Sequence, residues 1–312
     1  MINFSWNLFY IRKSVTFAPN YKYKTMKGVF QQTFGKDLRS VYQETMVECM
    51  EGKFGGLGES KLYKEEVRLE AMTDEPCETK VAVVNGDCLE VGKSMLDEGL
   101  NPAVLNMANA FRPGGGVING ARAQEECIFR RSNLFMSLYR YDSYHNLIFE
   151  TMTDDFADFG MIEQGYPMDE NFGGIYSGGV TVFKDGNYDR MEDAYQTAFI
   201  SVAALNISCA VRFRERDFLC DGLLNDEAIR ITKNKIRTIY RIGVLHGHDS
   251  LVLGAWGCGA FGNPPEQMAQ LFMEVLDEDE FKGRYKDIRF AIIEDHNSRG
   301  RNFLSFKNVI SK

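Results

Sequence analysis

Beyond Lys80 the chain repeats one unit: a short run of branched apolar residues, a break, then a longer amphipathic stretch. Alternation of that kind confines a chain to strands covered by helices on both faces. Residues 80–84 (KVAVV) read as a buried strand ending at Asn85-Gly86-Asp87, and residues 102–108 (PAVLNMA) as a second, followed by a long loop that contains three consecutive glycines. A helix is expected over 124–139, strands over 176–183 and 199–205, and a long amphipathic helix over 225–245 with Asp226 and Glu227 near its start. SLVLGAW (250–256) is a buried strand that runs into a second glycine-rich loop, after which Pro264 and Pro265 open a helix, where proline is tolerated in the first turn. DIRFAII (287–293) supplies a last central strand. The fold class expected is a three-layer α/β/α sandwich on a mixed central sheet.

Ahead of this unit, LRSVYQETMVECM (38–50) fits an amphipathic helix, followed by the break GKFGGLGES and the charged segment KLYKEEVRLEAM. Residues 1–78 are therefore expected to form an N-terminal helical extension and residues 79–312 the catalytic domain. No internal repeat or low-complexity tract interrupts either part.

Composition removes several classes of function. No stretch approaches the roughly 18 apolar residues of a membrane span. The apolar start, MINFSWNLFYIRK, carries its basic residues after the apolar run and lacks a small-residue cleavage site, so a signal peptide is disfavoured. The seven cysteines stand singly, without a CxxC pair, which favours neither a zinc site nor a disulfide framework and suits a reducing cytoplasm, or a nucleus in a eukaryote. With a net charge of −8 the chain has no global field to attract a polyanion. General nucleic-acid binding is not expected, and a nucleotide-like ligand would have to be held locally, by backbone amides and a few side chains.

Both glycine-rich loops, Gly114-Gly115-Gly116 and GCGAFGN (257–263), lie where a strand ends and a helix begins. Ligands bind α/β sheets at such places, where glycines let N–H groups turn toward an anion and a helix N-terminus adds a favourable dipole. One such loop would be an ordinary turn; two at strand ends favour a cradle for a pyrophosphate. Neither is a Rossmann fingerprint or a P-loop. Seven residues after the triple glycine stand Gln124-Glu125-Glu126. Adjacent acids at a helix start commonly only complement its dipole. Beside a phosphate cradle they suggest more. Neighbouring helical residues point about 100° apart, so the two carboxyls cannot flank one bond as in most glycosidases. One would act on the bond and the other would orient the sugar. A carboxyl that protonates a departing glycosidic oxygen and then activates water needs a raised pKa, from burial and a like-charged neighbour.

The run Asn109-Ala110-Phe111-Arg112-Pro113-Gly114-Gly115-Gly116, its short spacer and Gln124-Glu125-Glu126 resemble the signature of the poly(ADP-ribose) glycohydrolases. With LVLGAWGCGAFGNPP later in the chain, the form is similar to the bacterial-type (microbial) branch, a macrodomain family, over roughly residues 38–306. The resemblance implies that Glu126 is the catalytic acid/base and that Glu125 positions the ribose hydroxyls. It implies that Gly114, Gly115 and Gly116 wrap the diphosphate and distal ribose, with Gln124 of the same motif counted among the substrate-binding residues, and that Asn109 contacts the terminal ribose. Gly257, Cys258, Gly259, Ala260 and Phe261 would form the second diphosphate loop, Phe261 packing on the terminal ribose. Asp87 would read the adenine amino group. The implied reaction is exo-hydrolysis of the ribose–ribose O-glycosidic bond, releasing ADP-ribose from the polymer or an ADP-ribosylated protein, with no metal and no cofactor. Residues 1–25 have no counterpart in the family.

Other chemistry-bearing residues read more plainly. His246 and His248, with no acid or cysteine cluster nearby, are expected as surface or C-cap histidines. Cys258 has no histidine placed to activate it. Cys127 reads as a helix core residue, and Phe303 and Phe306 as anchors of a C-terminal helix. A catalytically silent ADP-ribose reader and a hydrolase of single ADP-ribosyl units or ADP-ribose esters are the competing functions; readers generally lack the QEE carboxylates.

Overall fold

The computed structural model describes residues 36–55, 58–71, 75–143, 160–213, 216–294 and 301–311. The apolar start of the chain, with its signal-peptide reading, lies outside them. Helix α1 (Leu38–Met50) and strand β1 (Ser60–Tyr63) come first, then β2 (Lys80–Val84), α2 (Cys88–Asp97), β3 (Pro102–Met107), α3 (Gln124–Arg131) and α4 (Leu134–Leu138). There follow β4 (Gly174–Lys184), β5 (Arg190–Val202), α5 (Ile207–Phe213), the small hairpin β6 (Leu219–Cys220) and β7 (Leu223–Leu224), α6 (Asp226–Leu245), β8 (Ser250–Leu253), α7 (Pro265–Leu276), β9 (Asp287–Ala291) and α8 (Arg301–Ile310).

A mixed sheet runs in the order β1-β4-β5-β3-β8-β9-β2. The strands from β5 to β2 are mutually parallel, while β1 and β4 are antiparallel to their neighbours. Side chains alternate across it as strand geometry requires. Ala103, Leu105, Leu251, Leu253, Ile288 and Phe290 enter one core, under α6, α7 and α8, with Ile231, Ile239, Phe272 and Phe306. Val104, Val252 and Phe199 enter the other, with Tyr42, Leu89, Met95, Phe129 and Phe135 from α1 to α4. Burying each such large side chain contributes about 1.5–3 kcal/mol, so two continuous cores hold the sheet between its helix layers. The expected three-layer α/β/α class is the observed one.

Local chemistry explains the element ends. Asp87 caps α2, its Oδ1 accepting from the backbone N–H of Leu89 and Glu90 at 3.0 and 3.3 Å. Asn225 caps α6 through Ala228 N–H at 3.0 Å, and Pro265 stands at the first turn of α7.

The bounds of two expected elements are corrected. The helix expected over 124–139 is broken at Ser132-Asn133, because Asn133 leaves the helix to pair with β4: its N–H donates to Thr181 O at 3.2 Å and its Oδ1 accepts from Thr181 N–H at 2.8 Å. The strand expected over 199–205 starts earlier, at Arg190, and ends at Val202. Its outer half is polar because it extends past the core in a hairpin with β4. Residues on both sides of the boundary expected at residue 78 share the sheet, since β1 pairs antiparallel with β4 and α1 packs on α3. His246 is the C-cap of α6, yet it is no surface residue: its ring stacks on Tyr176 with centroids 3.5 Å apart and its Nε2 hydrogen-bonds Tyr63 Oη at 2.8 Å. His248 is buried, with Nε2 2.9 Å from Tyr176 Oη. Phe306 is fully buried against Phe290, as an anchor of α8.

Candidate active site

Because the strands from β5 to β2 are parallel, their C-terminal ends lie along one edge of the sheet. β3 and β8 are neighbours there. The loop after β3, which carries the triple glycine, and the loop after β8, which carries GCGAFGN, therefore leave the sheet side by side. At this point the chain turns one way from β3 toward β4 and β5 and the other way to β8 and β9, the arrangement at which open α/β sheets place ligands.

The first residue of α3 fastens that helix to β3. Gln124 Nε2 donates to Leu105 O and its Oε1 accepts from Met107 N–H, both at 2.7 Å. The amide thus imitates a strand partner. Gln124, expected among the substrate-binding residues, is committed to the protein backbone and acts as an anchor.

With Gln124 pinned, the next two side chains point to different partners, as the helical turn demands. Glu125 is buried, its Oε1 accepting from Asn106 Nδ2 at 3.2 Å and its Oε2 from Asn109 N–H at 2.9 Å. Burial pushes its pKa up to about 8, against the opposing pull of these hydrogen bonds and with a further rise from the Glu126 charge. Glu126 is 7% exposed. Its Oε1 accepts from Gly116 N–H at 2.9 Å, while Oε2 is enclosed and has no partner among the described residues. The glycine loop reaches both acids. A Cβ built on Gly115 would stand 2.7 Å from Glu126 Oε1 and 3.5 Å from Glu125 Oε2, at a φ of +49° that disfavours any other residue.

The remaining expected residues follow the C-terminal ends of β3, β8 and β2. Asn109 stands at the exit from β3, where its Oδ1 accepts from the N–H groups of Phe111 and Arg112 at 2.9 and 3.3 Å and so shapes the turn into the glycine loop. In the second loop, Asn263 Nδ2 bridges Leu205 O at 2.8 Å and Gly257 O at 3.0 Å, which ties the loop to the end of β5. Gly259 and Ala260 are exposed, and Phe261 is half-buried against the α6–α7 core with its carbonyl accepting from Ser208 N–H at 3.0 Å. Cys258 has only burial acting on it, which pushes its thiol up, and it donates to Trp256 O; a thiolate nucleophile is not favoured there. Asp87 stands at the end of β2, occupied by its cap and by Arg131 Nη1 at 2.8 Å. Among the described residues no group of three His, Cys, Asp or Glu could hold a metal ion.

The sequence reading missed Asn106, which donates to Glu125 and to Ser201 Oγ at 3.0 Å. A lone polar residue inside the apolar run PAVLNM was the available signal, since a buried amide must find partners. Together the residues form a buried carboxyl pair, one member held by β3 and the other by a glycine loop, beside a second loop of small residues. Such an arrangement can bind an anion through N–H groups and move a proton at a neighbouring bond.

Known proteins of one family resemble the chain in sequence and fold. Residues 43–185 match the family described as microbial-type PARG (poly(ADP-ribose) glycohydrolase), catalytic domain. Two structures of the Thermomonospora curvata PARG, one of them bound to the inhibitor ADP-HPD, are 26% identical to the chain over 87% of its length and 98% of theirs, with TM-scores of 0.67 and 0.66. The Deinococcus radiodurans PARG in complex with ADP-ribose shares the fold at 21% identity, with a TM-score of 0.60 over 88% of this chain and 90% of that one. No curated protein matches the chain. None of the described helices is long and apolar enough to cross a membrane.

Proposed function

We propose that the chain, whose residues 43–185 match the microbial-type poly(ADP-ribose) glycohydrolase catalytic domain, is a glycohydrolase of that kind that works from chain ends, hydrolysing the ribose–ribose O-glycosidic bond to release ADP-ribose. The substrate is the polymer or an ADP-ribosylated protein, and the scattered single cysteines suit a reducing cytoplasm. The terminal diphosphate lies between the loops after β3 and β8, held by N–H groups of Gly114 to Gly116 and of Gly257 to Phe261. Glu125 and Asn109 orient the terminal ribose.

Glu126 carries the chemistry. With Oε1 held by Gly116 N–H, Oε2 delivers a proton to the departing ribose oxygen as the C–O bond breaks through an oxocarbenium-like state. The resulting carboxylate then takes a proton from the water that attacks the anomeric carbon. The observation behind this assignment is Oε2, enclosed and without a hydrogen-bond partner among the described residues, on a carboxyl whose Oε1 lies against the glycine loop. A buried polar oxygen without a partner is costly and calls for a functional reason.

Purified protein incubated with poly(ADP-ribose) should release ADP-ribose, followed by chromatography. Glu126→Gln should lower the rate at least about a hundredfold, the lower range for a lost general acid/base, while ADP-ribose binding measured by calorimetry persists. Wild-type protein that binds ADP-ribose and never cleaves the polymer would be a reader. A Glu126→Gln variant at full rate would remove Glu126 from the chemistry.

A further inference from the structure

Arg130 is fully buried, and it meets no carboxylate among the described residues. Its partners are backbone carbonyls from two separate segments. Nε donates to Leu38 O, at the start of α1, at 3.0 Å, and Nη2 donates to Ala121 O at 2.6 Å and Val117 O at 3.4 Å, both in the turn that follows the triple glycine. Nη1 is enclosed without a partner, and the ring of Tyr188 lies 5.9 Å from the guanidinium. Burying a guanidinium against carbonyls alone is a poor route to stability, since an apolar residue of similar volume commonly serves as well or better. A planar fork with several fixed donors is, however, suited to holding separate strands of backbone in one relative position.

The place of that fork in the chain gives it a consequence. Arg130 stands one helical turn after Glu126 on α3. The loop residue whose N–H holds Glu126, Gly116, immediately precedes Val117, whose carbonyl Arg130 holds. Helix α1 closes the brace from behind. Thr45 Oγ1 donates to Arg130 O at 2.7 Å, and Gly120 lies against Leu38 and Arg39. We infer that Arg130 is a positioning residue for Glu126: it fixes the loop 114–121 relative to the helix that carries the acid, and it makes α1 a support of the active site. This inference rests on Glu126 being the acid/base proposed above.

Arg130→Met keeps the volume and removes every donor. The loop can then drift from the acid, and because a misplacement of about 1 Å costs on the order of a hundredfold, kcat on poly(ADP-ribose) should fall between roughly tenfold and a hundredfold, with KM within about threefold of wild type. Arg130→Lys keeps a donor but cannot span both segments, and should give an intermediate kcat with an unchanged melting temperature. In both variants hydrogen–deuterium exchange of peptides covering 112–122 should be faster than in wild type, while peptides from β8 and β9 are unchanged. Wild-type kcat together with wild-type exchange in Arg130→Met would overturn the inference. If Arg130→Met does not fold, Arg130→Lys decides alone, and wild-type kcat and exchange in that variant overturn it equally. A wild-type protein that releases no ADP-ribose would instead defeat the glycohydrolase reading, and the exchange measurement would still judge whether Arg130 holds the loop.

Discussion

Replacing Gly115 by alanine tests the contact on which the site is built. Two costs can be worked from the geometry. The first is strain: a φ of +49° places an L-residue in the left-handed region, at about 1–2 kcal/mol. The second is displacement. The new Cβ would stand 2.7 Å from Glu126 Oε1, and to bring that separation to 3.4 Å, where ordinary contact begins, the carboxyl or the loop must move by about 0.7 Å. Such a shift also stretches the 2.9 Å bond from Gly116 N–H. At about a hundredfold per ångström of misplacement, kcat/KM for ADP-ribose release should fall roughly twenty- to thirtyfold. Gly99→Ala separates the two costs, because Gly99 has a φ of +82° and nothing within 4 Å of its would-be Cβ. It should lower the melting temperature by a few degrees, as about 1–2 kcal/mol does in a domain of this size, and leave kcat/KM at the wild-type value. The measurements are initial rates on poly(ADP-ribose) and thermal melts of both variants. If Gly115→Ala kept wild-type kcat/KM, or if Gly99→Ala lost activity to the same degree, pressure of the glycine loop on Glu126 could not be what sets the rate.

Two further expectations concern pH. With a folded pKa of about 8 against 4.5 in the open chain, Glu125 keeps a proton that the unfolded state has released, so its contribution to stability is full below pH 4.5 and declines as pH rises to 8. Urea midpoints should therefore fall between pH 6.5 and 8, and Glu125→Gln should flatten that decline; an unchanged slope in the variant would refute it. His246 and His248 act with the opposite sign: burial, opposed by Glu59 for one and by the Asn101 carbonyl for the other, holds each below the ordinary value of 6.5. Their contribution is full above pH 6.5 and is lost as pH falls toward the folded values, so His248→Gln should lessen the acid-side loss of stability in the same titration.

What could be read before folding was what depends on near neighbours in sequence. SLVL declares itself because a parallel strand buried on both faces is apolar nearly throughout, and KVAVV and DIRFA by their apolar runs, although β2, expected to be buried, lies at the sheet edge and is only partly covered. Asp87, Asn225 and Pro265 mark helix starts by local hydrogen bonding and by a fixed φ. The glycine loops and the acid pair were visible for the same reason. The residues that were missed act across the chain. β1 is a polar edge strand defined only by its partner β4, and the break at Ser132-Asn133 exists because Thr181 lies opposite. Arg130 reads from sequence as one more charge in the last turn of a helix; its role depends on the carbonyls of Leu38 and Ala121, which the fold brings to it.

An acidic chain that takes an acidic polymer faces a conflict that its net charge of −8 only sharpens. The two loops soften it by composition: residues 108–123 contain Arg112 and Arg122 and no acid, and residues 254–263 contain no charged residue at all. The acids that the reaction needs are the remaining difficulty, since two carboxylates beside a diphosphate would repel it. Burial resolves part of this for Glu125. Its raised pKa, near 8, leaves the group largely protonated at neutral pH, where it can orient a ribose hydroxyl without adding a second negative charge. In the proposed mechanism, the burial that costs the fold stability as pH rises would thus also let an anion approach Glu126, and substituting Glu125 should trade one against the other.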